Sequence, residues 1–137
     1  MTFLVDTSAL VHLLRDRSGL LAAKYDRIVA GQRAVLARIT EFELLNGARD
    51  EREWSRLKRM LAEQSIIETA PAAWGAAGQI VFDLKRRGTT LTSVFDCVIA
   101  QTALDYDLAL IHDDRDFEAI AKVRPLRVVR FKQSAKE

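Results

Sequence analysis

The sequence predicts an α/β fold, specifically an α/β/α sandwich with a central parallel sheet of about five strands. Three observations carry that prediction. Short β-rich apolar runs alternate with helical patterns along the chain. The run Leu108 to Ile111 is nearly all apolar, as a strand covered on both faces should be. No linker, repeat or low-complexity stretch breaks the alternation, so the 137 residues read as one domain spanning 1–137.

Phe3 to Val5 is a short strand that ends at Asp6, and Thr7 and Ser8 are expected to cap a helix through Leu10, Val11 and Leu14. Ser18 opens a second helical pattern, through Leu21, Tyr25 and Ile28, which Gly31 closes. Ala34 to Ile39 reads as a buried strand. Thr40 and Glu43 have the spacing of a capping box, so the next helix is expected to start at Thr40, with Glu43 in its first turn. Glu51 to Gln64 is helical, Ile66 to Glu68 is a short strand, and Pro71 suits the first turn of a long helix ending at Lys85, Arg86 and Arg87. Thr92 or Ser93 caps a helix from about Val94 to Tyr106. After the Leu108 strand, a short helix occupies Asp113 to Ala121, and Arg127 to Phe131 forms a last strand.

Composition excludes several classes. Apolar residues make up 49% of the chain and charged residues 29%, which disfavours disorder. With 21 Lys plus Arg against 19 Asp plus Glu, a net charge of +2 gives no blanket attraction to nucleic acid. No apolar run reaches the roughly 18 residues of a membrane span. Asp6 interrupts the first apolar stretch before a signal-peptide core could form, so a cytoplasmic protein is expected. The single cysteine, Cys97, rules out an internal disulfide framework and a thiolate zinc cluster, and with only His12 and His112 as nitrogen donors any bound metal should take oxygen ligands.

Ligands of an open parallel sheet gather outside the carboxyl ends of its strands. Asp6 ends the first strand, Glu43 follows the second, Asp96 lies in the first turn of its helix, and Asp113, Asp114 and Asp116 follow the Leu108 strand. Each acid alone is explained by a helix dipole. Together they would repel one another unless a cation neutralises them, and oxygen donors without thiol support specify Mg²⁺ or Mn²⁺. The matching chemistry is metal-assisted attack of water on a phosphodiester.

The segments FLVDTSAL around Asp6, ITEFELLNGA around Glu43, LTSVFDCVIAQTA around Asp96 and LALIHDDRDFEAIA around Asp114 and Asp116 also carry a family resemblance. In order and spacing the chain resembles the PIN domain ribonucleases, particularly VapC-like toxins of bacterial type II toxin–antitoxin pairs, along almost its whole length. Residue by residue, the resemblance implies that Asp6, Glu43, Asp96 and Asp114 are metal-binding acids, with Asp116 a frequent fifth. It implies a Mg²⁺- or Mn²⁺-dependent endoribonuclease acting on tRNA, rRNA or mRNA and leaving a 5′-phosphate and a 3′-hydroxyl. It also implies a VapB-like antitoxin and a homodimer. The family usually carries a small hydroxyl residue where this chain has His112, and Asp113 is additional. Aligning Asp116 and Phe117 with the family's acid and phenylalanine selects Asp114 over Asp113.

Other residues carry paired readings. Thr7 and Thr40 either cap helices or orient a metal-bound acid or water, whereas Ser8 reads as a cap or packing residue. His112 is a proton shuttle or a hydrogen-bonded structural histidine, and Cys97 an inert packed thiol. Arg115 contacts an RNA phosphate or pairs with a neighbouring acid. Arg124, Arg127, Arg130, Lys132 and Lys136 form a basic tail or solvated edge charge. Leu20, Leu21, Leu57 and Leu61 form either core or an antitoxin groove. Competing functions are weaker: a dehalogenase-like phosphatase would need an acid at Ser8, and a phospho-receiver needs its acid pair near the first strand. A non-catalytic RNA-binding or interaction scaffold of the same fold is the remaining alternative.

Overall fold

The computed structural model describes residues 1–132, with strands β1 (Thr2–Val5), β2 (Arg33–Ala37), β3 (Ile66–Ile67), β4 (Ala109–His112) and β5 (Val128–Arg130). All are parallel, in the order β3-β2-β1-β4-β5. The chain builds outward from β1 through β2 to β3, then crosses to the other side for β4 and β5. The switch point therefore falls between β1 and β4, where α/β sheets bind ligands.

Period-two alternation divides the sheet residues between two cores. Leu4, Val35, Ala37 and Leu110 face α5 (Pro71–Arg86), α6 (Phe95–Asp105) and α7 (Arg115–Ala121), packing with Ile80, Leu84, Ile99, Phe117 and Ile120. Phe3, Val5, Leu36, Ala109 and Ile111 face the other way. They pack with residues of α1 (Thr7–Arg15), α2 (Leu20–Val29), α3 (Arg38–Asn46) and α4 (Glu51–Ala62), among them Ala9, Val29, Leu44 and Leu61. Cys97 is fully buried, its thiol pushed up to about 12 chiefly by that burial.

Three helix starts differ from the sequence expectation. The cap of α1 is Asp6, not Thr7 or Ser8, because its carboxylate accepts from the Ser8 N–H while the backbone remains extended. Helix α3 begins at Arg38 straight after β2, so Thr40 caps nothing and Glu43 lies in the second turn. The cause is Arg38, which pairs with Glu41 one turn on and with Glu68 beyond β3, fixing the first turn early. Helix α6 starts after Val94, with Ser93 contributing only an Oγ that accepts from Phe95 N at 3.3 Å. Between α1 and α2 the chain turns through Gly19 at φ 82°, a conformation glycine adopts without strain.

Three residues of the expected basic tail are paired, while Lys132 is exposed with no ion pair among the described residues. Arg124 binds Asp83, Arg127 binds Asp107, and Arg130 binds Asp113. Lys136 lies outside the described residues. Leu57 and Leu61 are core, while Leu20 is exposed.

Candidate metal centre

Asp6 leaves β1 at the switch point, its backbone N–H donating to Ile111 O of β4 at 2.9 Å. Its Oδ2 accepts from Ser8 N at 3.0 Å and Ser8 Oγ at 2.6 Å. Its Oδ1 is buried and has no partner. Burial, opposed by the Ser8 contacts, pushes this carboxyl up to about 6, with Glu43 adding in the same direction.

Across the switch point, Asp96, Asp114 and Asp116 each offer a carboxylate oxygen, and these oxygens lie within 4.8 Å of one another. Asp116 is secured by backbone donors: Thr92 N reaches its two oxygens at 3.1 and 2.9 Å, and Ser93 N reaches one at 3.0 Å. Asp114 caps α7, accepting from Asp116 N at 2.9 Å. Asp96 is the least satisfied, with Oδ2 buried and unpartnered. Desolvation pushes it up to about 10, reinforced by the facing Asp116 carboxyl and by the charges of Asp6 and Asp114.

Buried polar atoms nearly always find partners, so two orphaned carboxylate oxygens, one at the end of β1 and one in the first turn of α6, need an explanation. A divalent cation would supply it, because it would turn mutual repulsion into shared coordination and favour the ionised form of Asp96. The donors are all carboxylate oxygens, as Mg²⁺ or Mn²⁺ require. The residues present fit such an ion.

Glu43 stands at the rim, where Thr7 Oγ1 donates to its Oε1 at 2.7 Å. Thr7 thus orients Glu43 and does not touch Asp6 through its side chain. Thr40 Oγ1 is fully buried with no partner, so no contact to an acid is made. Arg115 is exposed and has no ion pair among the described residues. His112 is structural in its contacts, its Nδ1 accepting from Asp114 N at 3.1 Å and its ring tilted against Phe117 at 5.2 Å. Burial holds it below the usual histidine range, so the neutral ring fixes the Asp114 turn.

The sequence reading underrated two positions. Ser8 bridges the strand ends: its hydroxyl donates to Asp6 and accepts from Asp113 N at 2.8 Å. A serine two residues beyond a strand-ending aspartate is the available signal, the usual pattern of a local Asp turn. Asp113 is clamped between His12 Nε2 at 2.7 Å and Arg130 Nε at 3.1 Å, a cross-element arrangement with no local sequence signal.

A five-stranded parallel sheet whose switch point brings Asp96, Asp114 and Asp116 together, with Asp6 close enough to raise Asp96, defines the class: an α/β domain with an acidic cluster at the carboxyl ends of its strands. The PIN domain family profile matches residues 3–123. The chain belongs to the PIN domain family, in its VapC-like branch. It is 30% identical over 132 residues to the VapC ribonuclease Mb1587 of Mycobacterium bovis, an alignment spanning 94% of this chain and 98% of the relative. The same figures hold for Ribonuclease VapC11 of Mycobacterium tuberculosis. In fold it matches VapBC-1 from nontypeable Haemophilus influenzae with a TM-score of 0.77 at 20% identity, covering 97% of this chain and 100% of that one. No helix among the described residues is long and apolar enough to cross a membrane.

Proposed function

We infer that the protein is a divalent-metal-dependent endoribonuclease, the toxin of a type II pair held in check by a VapB-like antitoxin. The observation that carries this reading is the pair of orphaned buried oxygens, Asp6 Oδ1 and Asp96 Oδ2, beside two further carboxylates. A non-catalytic scaffold would gain nothing from that repulsion. The names of its VapC ribonuclease relatives support the substrate class.

Asp6, Asp96, Asp114 and Asp116 would hold Mg²⁺ or Mn²⁺, with Glu43 and Thr7 at the edge of the site. When bound, the ion supplies Lewis-acid stabilisation of charge on the phosphoryl oxygens and lowers the pKa of water. Ser8 holds Asp6 in a single rotamer through two hydrogen bonds to Oδ2, which leaves Oδ1 free to face its ligand. The Thr92 and Ser93 N–H groups do the same for Asp116, and His112 for the turn at Asp114. The carboxylate of Asp96 or Asp114 takes the proton of the attacking water. The new bond forms between that water and phosphorus, the P–O3′ bond breaks, and the departing 3′ oxygen takes a proton from solvent water, giving a 5′-phosphate and a 3′-hydroxyl. Exposed Phe42 and Phe95, each beside a site acid, supply apolar area for a second copy of the chain.

The test is cleavage of total cellular RNA by the purified chain in Mg²⁺, in Mn²⁺ and in excess chelator. Discrete fragments that vanish in chelator and in Asp6→Asn are expected. Cleavage that survives chelator would overturn the metal assignment.

A further inference from the structure

We propose that the cleft between α1, α3 and α4 is a backbone-phosphate subsite for the RNA strand next to the scissile bond. The proposal rests on the ribonuclease reading above and adds to it where the substrate lies. The cleft has a volume of about 270 Å³, and its lining includes Thr7 and Glu43, hydrogen-bonded to each other beside Asp6. Three cationic side chains line it: Arg15 from the end of α1, Arg49 from the turn before α4, and Arg56 from α4. Val11 and Leu57 supply apolar wall between them.

The arginines are not equivalent. Arg49 is tied to Glu53 at 3.0 Å, and the Arg49 N–H also donates to that carboxylate, so this pair fixes the turn into α4. Arg15 and Arg56 are exposed and have no ion-pair partner among the described residues. The last turn of α1 offers Arg15 a favourable dipole. Arg56, in the middle of α4, has no such reason to stand there. Arg15 lies eight residues beyond Thr7, about 12 Å along a helix. A strand whose scissile phosphate sits at the acids would therefore carry a neighbouring phosphate past Glu43 and into the reach of both guanidiniums. A nuclease whose catalytic centre is anionic needs cations of this kind outside the metal shell, because the ion neutralises only its own ligands. Guanidinium forks bind phosphate oxygens in two-pronged fashion.

The probe is a fluorescein-labelled, mixed-sequence single-stranded RNA, titrated in Mg²⁺ against Asp6→Asn protein so that nothing is cut. Arg15→Ala and Arg56→Ala are added to that background singly and together, with Arg59→Ala, outside the cleft on the same helix, as the charge-matched control. The double variant is expected to weaken binding about tenfold and to reduce the slope of log Kd against log salt by roughly 0.7 for each phosphate that is no longer neutralised. Arg59→Ala is expected to leave both unchanged, and Arg56→Lys to retain most of the slope. In the cleavage-competent chain, the double variant should raise KM with kcat nearly unchanged. Equal weakening by Arg59→Ala would overturn the subsite, since net charge alone would explain the effect. Unchanged RNA affinity would also overturn it, and loss of binding to a protein partner in the same variants would then assign the cleft to that partner. In either case wild-type cleavage in Mg²⁺ would leave the ribonuclease reading standing, whereas a wild-type chain that neither binds nor cuts RNA would remove both.

Discussion

Asp6 and Asp113 stand just beyond neighbouring strands, β1 and β4, yet their surroundings are opposite. Asp113 gives one oxygen to His12 and the other to Arg130, joining α1 and β5 across the end of the sheet. Asp6 has one oxygen satisfied by Ser8 and the other buried without a partner, and Asp96 across the switch point is in the same condition. The same residue type at equivalent points is fully paired in one place and half-satisfied in the other. Buried charge with partners reports on folding, whereas buried charge without them reports on something absent from the chain.

The sharpest way to break this comparison is to neutralise the unpartnered acids. Asp96→Asn or Asp6→Asn should reduce RNA cleavage by at least about 10³-fold, since several kcal/mol of transition-state stabilisation is removed. In chelator, the same variants should melt higher than wild type by about 1–3 kcal/mol in stability, because an amide spares the fold the cost of burying, or of protonating, an unpartnered carboxylate. A variant that loses both activity and stability would place Asp96 with the scaffold. The second effect is that of metal on the melt. At about 100 times Kd, Mg²⁺ should contribute roughly 2.7 kcal/mol, a rise of about 8–12 °C for a chain of this size, and Asp96→Asn should lose most of that response. A calorimetric series with and without chelator reads it directly.

Asp113→Ala should behave in the opposite way, costing about 1–2 kcal/mol of stability while slowing cleavage less than about tenfold. Thr40→Val tests the orphaned hydroxyl. With no partner to lose, the substitution should leave melting within about 0.5 kcal/mol or raise it, and cleavage should be unchanged. The smallest effect belongs to a half-buried, paired acid. Arg124, and then Gln79, hold the Asp83 carboxyl below its usual range, so this pairing supports the fold above about pH 4 and fades as pH falls through the lowered value. Asp83→Asn should lower Tm slightly at neutral pH, and the difference from wild type should disappear by about pH 2.

The strand and helix succession was legible in the sequence because each element carries its own period, and the positions of Asp6, Asp96, Asp114 and Asp116 followed from where those elements end. Helix starts were less legible. Thr40 and Glu43 satisfy a local capping pattern, but Arg38 reaches Glu68 across β3 and pulls the start of α3 earlier. That contact spans 30 residues and leaves no trace in a short window. Asp113 was ambiguous for the same reason: His12 and Arg130 lie far from it in sequence and on opposite sides. Its contacts are set by which elements meet, not by its neighbours in the chain.

Ser8 accepts from the backbone of Asp113 across a separation of 105 residues, and the site forms only when β4 docks against β1. A chain still being made, or one in which β4 has locally opened, has no acid cluster with which to hold a cation. The acid cluster is therefore a property of the closed sheet, and long-range closure, a slow event in folding, must come before it. The order in which the cluster matures is built into the topology.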